Sequence, residues 1–197
     1  MVKRLGLFGG TFNPVHHGHI AAAHAALDVL SLDRLLLIPS GHPPLKGDVG
    51  LVAGHHRATM LRLAVGDDAR MDVCTYEIER EGLSYTVDTV HQIASKMAPG
   101  TQLVFLVGSD CVDRLPRWKG IDEIRGLAQI AIIARSGDDL TPLPSELLRV
   151  PMPPVAASST MVRKALANGV DMQDWIAAPV MTYLRDHDLY AKASCHA

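Results

Sequence analysis

Four short runs of the chain, Leu5–Phe8, Leu35–Ile38, Leu103–Val107 and Ile130–Ala134, are apolar at consecutive rather than alternate positions. Runs of this kind predict strands covered on both faces, as in a parallel sheet packed between helical layers. Between them lie Ile20–Leu30, His56–Val65 and Val87–Met97, whose apolar residues recur near helical spacing. Met71–Ile78 alternates instead, which predicts a half-exposed strand nearer an edge. Strands alternating with helices predict βαβ units, hence an α/β fold with a doubly wound, mostly parallel sheet.

The breaks in the pattern refine this reading. The segment from Pro39 to Gly47 follows a strand and is punctuated by Pro and Gly, so it is a loop. Residues 142–154 hold five prolines, which predicts an irregular crossing of the surface towards two C-terminal helices. Those helices read as Thr160–Asn168, with Gly169 as its C-cap, and Pro179–Asp186. No repeat, low-complexity tract or linker divides the sequence, so residues 1–197 are expected to form a single domain.

Composition narrows the class of function. Lys and Arg number 19 against 21 Asp and Glu, so the whole chain has no electrostatic drive towards nucleic acid or an anionic membrane. The three cysteines are widely spaced without a CxxC, which fits neither a disulfide framework nor a zinc cluster. Reduced thiols in a cytoplasmic protein are the simplest expectation. Only four residues separate the charged pair Lys3-Arg4 from Gly9, too few for the apolar region of a signal peptide. No apolar run approaches the roughly 20 residues that span a bilayer.

The sharpest chemistry lies in Gly9-Gly-Thr-Phe-Asn-Pro-Val-His-His-Gly-His19, between the first strand and the first helix. In open α/β sheets ligands bind at the carboxyl ends of strands, where helix N-termini favour phosphate. Gly9 and Gly10 would let backbone approach an anion closely, and Gly18 leaves room for a bulky group. His16 and His19, three residues apart at a helix start, share one face and can present neutral N–H donors to phosphate. Neither a P-loop nor a G-x-G-x-x-G fingerprint is present. Taken alone, two such histidines serve equally well as surface residues after a glycine turn.

Taken with its context, the segment resembles the signature of the nucleotidyltransferase superfamily that carries an HxGH motif. Ala157-Ser-Ser-Thr-Met-Val-Arg163 resembles the second half of that signature. Ser158, Ser159 and Thr160 there offer hydroxyls and N–H groups at a helix start, and Arg163 follows one turn on. Within the superfamily the chain most resembles the bacterial nicotinate-nucleotide adenylyltransferases. The segment Glu77-Ile-Glu-Arg-Glu-Gly-Leu-Ser-Tyr-Thr-Val-Asp-Thr89 is the most specific match. Pro39–Lys46, Gly108-Ser-Asp110 with Trp118, Ala134–Gly137 and Pro179–Tyr190 extend it over nearly the whole length.

The resemblance implies a Rossmann-like nucleotidyltransferase fold and adenylyl transfer from ATP to nicotinate mononucleotide, giving deamido-NAD and pyrophosphate in NAD biosynthesis. It implies that His16 and His19 act on the ATP phosphates, with Gly9, Gly10, Thr11 and Phe12 around them. Ser158, Ser159, Thr160 and Arg163 would grip the polyphosphate, and Gly108, Asp110 and Arg135 would border the nucleoside. Asp110 is equally placed to act as a helix N-cap. Lys46 would meet the acceptor phosphate or stand as a solvated loop lysine. Thr86 and Trp118 would meet the pyridine ring, unless Trp118 is a partly buried anchor. Mg²⁺ is implied, held mainly by phosphate oxygens and water, with no protein metal ligands, and homo-oligomerisation is left open. The alternatives are transfer to nicotinamide mononucleotide or phosphopantetheine, or a non-catalytic nucleotide-binding module. Asn13, Leu45 and Ser136 depart from the family pattern, which more often has Asp, His and Pro there.

Overall fold

The computed structural model describes residues 2–42, 50–134, 143–152 and 155–191. Among these residues six strands form one sheet: β1 (Arg4–Gly10), β2 (Arg34–Pro39), β3 (Met71–Val73), β4 (Gln102–Gly108), β5 (Ala128–Ala134) and β6 (Leu147–Pro151). Their spatial order is β3-β2-β1-β4-β5-β6, and every neighbouring pair is parallel. The chain winds outward from β1 to β3, then returns to start β4 on the other side of β1. That reversal opens a crevice at the carboxyl ends of β1 and β4, the place where open α/β sheets bind ligands.

Among the described residues, seven α-helices accompany the sheet: α1 (His17–Val29), α2 (Gly54–Val65), α3 (Tyr76–Glu79), α4 (Thr86–Ala94), α5 (Ile121–Leu127), α6 (Ser159–Leu166) and α7 (Ala178–Asp186). A 3₁₀ segment, Ser109–Arg117, leaves β4 directly. The central strands are apolar on both faces because each face has its own helix layer. In β4, Val104 and Leu106 join a cluster with Ala23 and Leu27 of α1, Leu61 of α2, Val162 of α6 and Val180 of α7. Leu103, Phe105 and Val107, the alternate residues, pack with Val87 and Val90 of α4 and Ile124 of α5. The sheet is therefore doubly wound, as its apolar runs require.

Two sequence expectations need correction. The alternating stretch Met71–Ile78 is a strand only to Val73, after which Tyr76–Glu79 turns into α3. Its Glu77 is buried, so the apparent alternation came from a carboxyl held inside rather than from a solvent face. The Pro-rich stretch also contains β6, which pairs with β5 from Ile130↔Leu147 to Ala134↔Pro151. As an edge strand it tolerates a terminal proline, whose missing N–H removes no necessary ladder bond. Gly169 lies two residues past the C-cap Ala167, with φ +70 and its N–H on the Leu166 carbonyl.

Candidate active site

The loop from Thr11 to His16 leaves β1 at the crevice and delivers α1. Phe12 takes φ +46 yet is 1% exposed, its ring edge-on to Phe8 at 5.6 Å and to His19 at 5.0 Å. This aromatic seat sets the orientation of His19 from one side. From the other, the His16 ring stacks on it with centroids 3.8 Å apart. The His16 amide N–H donates to His19 Nδ1 at 3.2 Å. An Nδ1 that accepts leaves the neutral ring's proton on Nε2, so His19 is a directed N–H donor.

Gly18 is needed for this pair. A Cβ there would lie 2.9 Å from the His16 ring. The space expected to admit a bulky ligand group is therefore filled by the neighbouring imidazole.

The two distant motifs meet at the same loop. Arg163 Nη1 donates to the Asn13 carbonyl at 2.7 Å, and Ser159 Oγ donates to the Pro14 carbonyl at 3.0 Å. Ser158 caps α6 by accepting the Met161 N–H at 3.2 Å, as its type predicts. Thr160 Oγ1 accepts from Arg163 Nη2 at 3.4 Å. The Ser159 hydroxyl proton thus joins the motifs rather than standing ready for a phosphate. Arg163 keeps further donors in its five-fold set.

Gly9 and Gly10 end β1, and Gly108 ends β4. Asp110 is not an N-cap: Gly108 caps the 3₁₀ segment, and Asp110 sits in its first turn facing Arg114 at 3.5 Å.

A second group lies around Thr86, the first residue of α4. Lys119 Nζ stands 4.1 Å from the Tyr85 ring centroid, and Gly120 abuts Val87, so Thr86 and Trp118 share a neighbourhood. Trp118 is partly buried and edge-on to Phe105 at 6.1 Å, which makes it part of the apolar cluster on this face. Beneath them, Thr89 Oγ1 donates to the buried Glu77 Oε1 at 2.7 Å, and the Gly41 N–H also donates to that carboxyl. Burial pushes Glu77 above the usual carboxylate range, against the pull of those donors and of Arg80 and Arg57. Gly41 admits no side chain, since a Cβ would lie 2.1 Å from the Glu77 carbonyl oxygen. Lys46 and Arg135 lie outside the described residues.

Sequence reasoning missed Arg57, a residue only 2% exposed whose guanidinium donates to the Thr11 carbonyl at 2.9 Å and the Val52 carbonyl at 2.8 Å. The available signal was a basic residue on the apolar side of α2, beside Ala58 and Leu61.

Residues 7–165 match the family model described as cytidylyltransferase-like. A protein of Shouchella clausii named "Probable nicotinate-nucleotide adenylyltransferase" is 36% identical over 189 residues, 96% of this chain and 97% of that protein. A protein of the same name from Thermus thermophilus is 36% identical over 187 residues, 95% of this chain and 99% of its own length. The solved structure of Plasmodium falciparum nicotinic acid mononucleotide adenylyltransferase complexed with NaAD superposes with a TM-score of 0.75. It covers 95% of this chain and 97% of its own at 19% identity, a likeness of fold.

Proposed function

The chain belongs to the cytidylyltransferase-like family and, within it, to the nicotinate-nucleotide adenylyltransferases, and from that premise we propose how its residues transfer adenylate from ATP to nicotinate mononucleotide. The observation that carries the reading is the junction of the two motifs, Arg163 on the Asn13 carbonyl and Ser159 on the Pro14 carbonyl. It gathers a histidine donor, a helix N-terminus and a guanidinium at one mouth of the sheet. Those are the elements that a polyphosphate needs.

In the reaction, an oxygen of the acceptor 5′-phosphate forms a bond to the α-phosphorus of ATP, and the bond from that phosphorus to the bridging oxygen breaks. Pyrophosphate leaves and deamido-NAD remains. The acceptor phosphate is already ionised, so no proton must be removed from it and no side-chain nucleophile is required. Catalysis reduces to in-line positioning and neutralisation of charge on the leaving group. His19, holding its proton on Nε2, donates to the phosphate oxygens as charge moves onto them, and His16 keeps that ring in register. The α6 amides with Thr160 and Arg163 hold the β- and γ-phosphates. Asp110 borders the nucleoside, Thr86 and Trp118 the pyridine ring. Lys46 and Arg135 are assigned to the acceptor phosphate and the adenine by motif alone.

Among the described residues, no group of three or more His, Cys, Asp or Glu is arranged to hold a metal ion. Mg²⁺ would enter with ATP, held by phosphate oxygens and water, and would neutralise the departing pyrophosphate. No described helix is long and apolar enough to cross a membrane.

Pyrophosphate release with ATP and each acceptor in turn tests the reading. Release is expected with nicotinate mononucleotide. Preference for nicotinamide mononucleotide or phosphopantetheine would reassign the acceptor, and no release with any would leave a binding module.

A further inference from the structure

Behind the motif junction, Asn13 is a buried hub. Its Nδ2 donates to the Gly50 carbonyl at 2.8 Å, and its Oδ1 accepts the Val52 N–H at 3.1 Å. Carbonyls only accept and amide N–H groups only donate, so these two partners settle which way the amide points. The same Oδ1 also receives the hydroxyl of Tyr190, from the far end of the chain. Its backbone carbonyl receives Arg163.

Tyr190 reaches this position by a tight turn off α7. Leu189 N–H bonds the Leu184 carbonyl at 3.0 Å, and both Asp188 and Tyr190 take left-handed φ, +49 and +63. Non-glycine residues hold such conformations only where surrounding contacts over-determine them. Packing of Leu189 and Tyr190 on the α1–α2–α7 cluster supplies part of that determination. The hydroxyl on Asn13 supplies the directional part.

We propose that Tyr190 is a positioning residue for ATP: its hydroxyl, acting through Asn13, holds the Arg163 guanidinium where it meets the polyphosphate. Burial pushes the phenol above its ordinary range, against the nearby charges of Arg163 and Arg57, so the hydroxyl keeps its proton and stays a donor. With Tyr190, Gly50 and Val52 all bonded to its side-chain amide, Asn13 is pinned in place, and that pinning holds the main-chain carbonyl to which Arg163 is bonded. The C-terminal turn is thereby linked to the phosphate end of the site and has no described contact with Thr86 or Trp118.

The inference rests on the reading of Arg163 as an ATP ligand. Its test is calorimetric titration of a non-transferable ATP analogue with Mg²⁺ into the wild-type chain, Tyr190→Phe, Arg163→Lys and the double variant. Tyr190→Phe should weaken the analogue roughly three- to tenfold, the scale of one hydrogen bond. The KM for nicotinate mononucleotide should stay within about twofold. In the Arg163→Lys background the same change should cost less than about twofold, because the group it acts through is gone. Asn13→Ser, which withdraws the acceptor and leaves Tyr190 in place, is the second variant, with the same split expected. An equal loss in both backgrounds, an equal loss for both ligands, or no loss would overturn the proposal. If Arg163→Lys binds the analogue as tightly as wild type, the reading of Arg163 falls and the inference with it. If Arg163→Lys is weakened while Tyr190→Phe matches wild type, the inference alone falls.

Discussion

The hydroxyl of Thr89 donates to the buried carboxyl of Glu77 at 2.7 Å, joining two residues twelve positions apart. These are the two ends of the segment that most distinguishes this family in the sequence. Within it, Arg80 bonds Asp88 at 3.2 Å and the Leu83 carbonyl at 2.9 Å, and Ser84 exchanges bonds with the backbone of His42. The segment is thus a clasp that fixes the start of α4 against the loop leaving β2.

Thr89→Val keeps the shape of the side chain and removes the donor. Glu77 then loses one of its partners while buried, and destabilisation of about 1–3 kcal/mol is expected from a group left underbonded. Denaturant unfolding measures it. The KM for nicotinate mononucleotide should rise as well, since the clasp sets the start of α4, which carries Thr86. Unchanged stability and KM would show that the clasp is idle.

The His16–His19 pair makes a separate prediction. His19→Ala should lower kcat by about 10²-fold or more, the scale of a lost transition-state donor, with little change in acceptor KM. Gly18→Ala should lower kcat in the same direction without touching either imidazole chemically, because its Cβ would meet the His16 ring at 2.9 Å. Steady-state kinetics of both variants decide this, and a normal kcat in Gly18→Ala would release His16 from its role.

A histidine cluster joins α2 to α7. His56 Nδ1 lies 2.8 Å from the Tyr183 hydroxyl, with His55 and His187 rings at 4.2 and 5.3 Å. Burial, then the charges of His55 and His187, lowers the His56 pKa from its ordinary 6.5. The unfolded chain therefore binds more protons at this position, and stability falls as pH drops through about 6.5, levelling below the folded value. His56→Gln can still bond Tyr183 and cannot titrate. The wild-type Tm advantage over this variant should shrink between about pH 7.5 and about pH 5; a constant difference would place the titration elsewhere.

The central strands and the loop between β1 and α1 were legible because each rests on local signals. Leu5–Phe8 and Leu103–Val107 are apolar throughout, since both sheet faces are covered, and the glycines and histidines after Phe8 sit on adjacent positions. β6 was not legible, because an edge strand of Leu-Leu-Arg-Val-Pro lacks both a continuous apolar run and alternation. The hub at Asn13 was visible only as a polar turn residue. Its partners Gly50, Val52, Arg163 and Tyr190 are brought together by tertiary packing, which no sequence period encodes. Arg57 was hidden for the same reason, a charged residue buried for the carbonyls it satisfies.

In the proposed reading, selection of the acceptor turns on Thr86 and Trp118, with a different role for each. A pocket that hydrogen-bonds a pyridine carboxylate should reject the carboxamide, because the amide NH₂ faces donors with donors. Thr86 opens α4, where the amides of the first turn have no partner within the helix and favour an anion. Its hydroxyl adds one donor to that set. Thr86→Val should therefore cost the acid more than the amide, by about 1 kcal/mol in kcat/KM, the net scale of one hydrogen bond. Trp118 offers ring area to either pyridine, so Trp118→Ala should weaken both mononucleotides alike. That variant should also lower Tm, because the indole packs edge-on to Phe105 and its loss leaves a gap in the cluster beneath α4. Measuring kcat/KM for both mononucleotides in both variants, with Tm alongside, distinguishes the two contributions. Equal losses in Thr86→Val would move discrimination onto the α4 backbone amides, which no side-chain change removes.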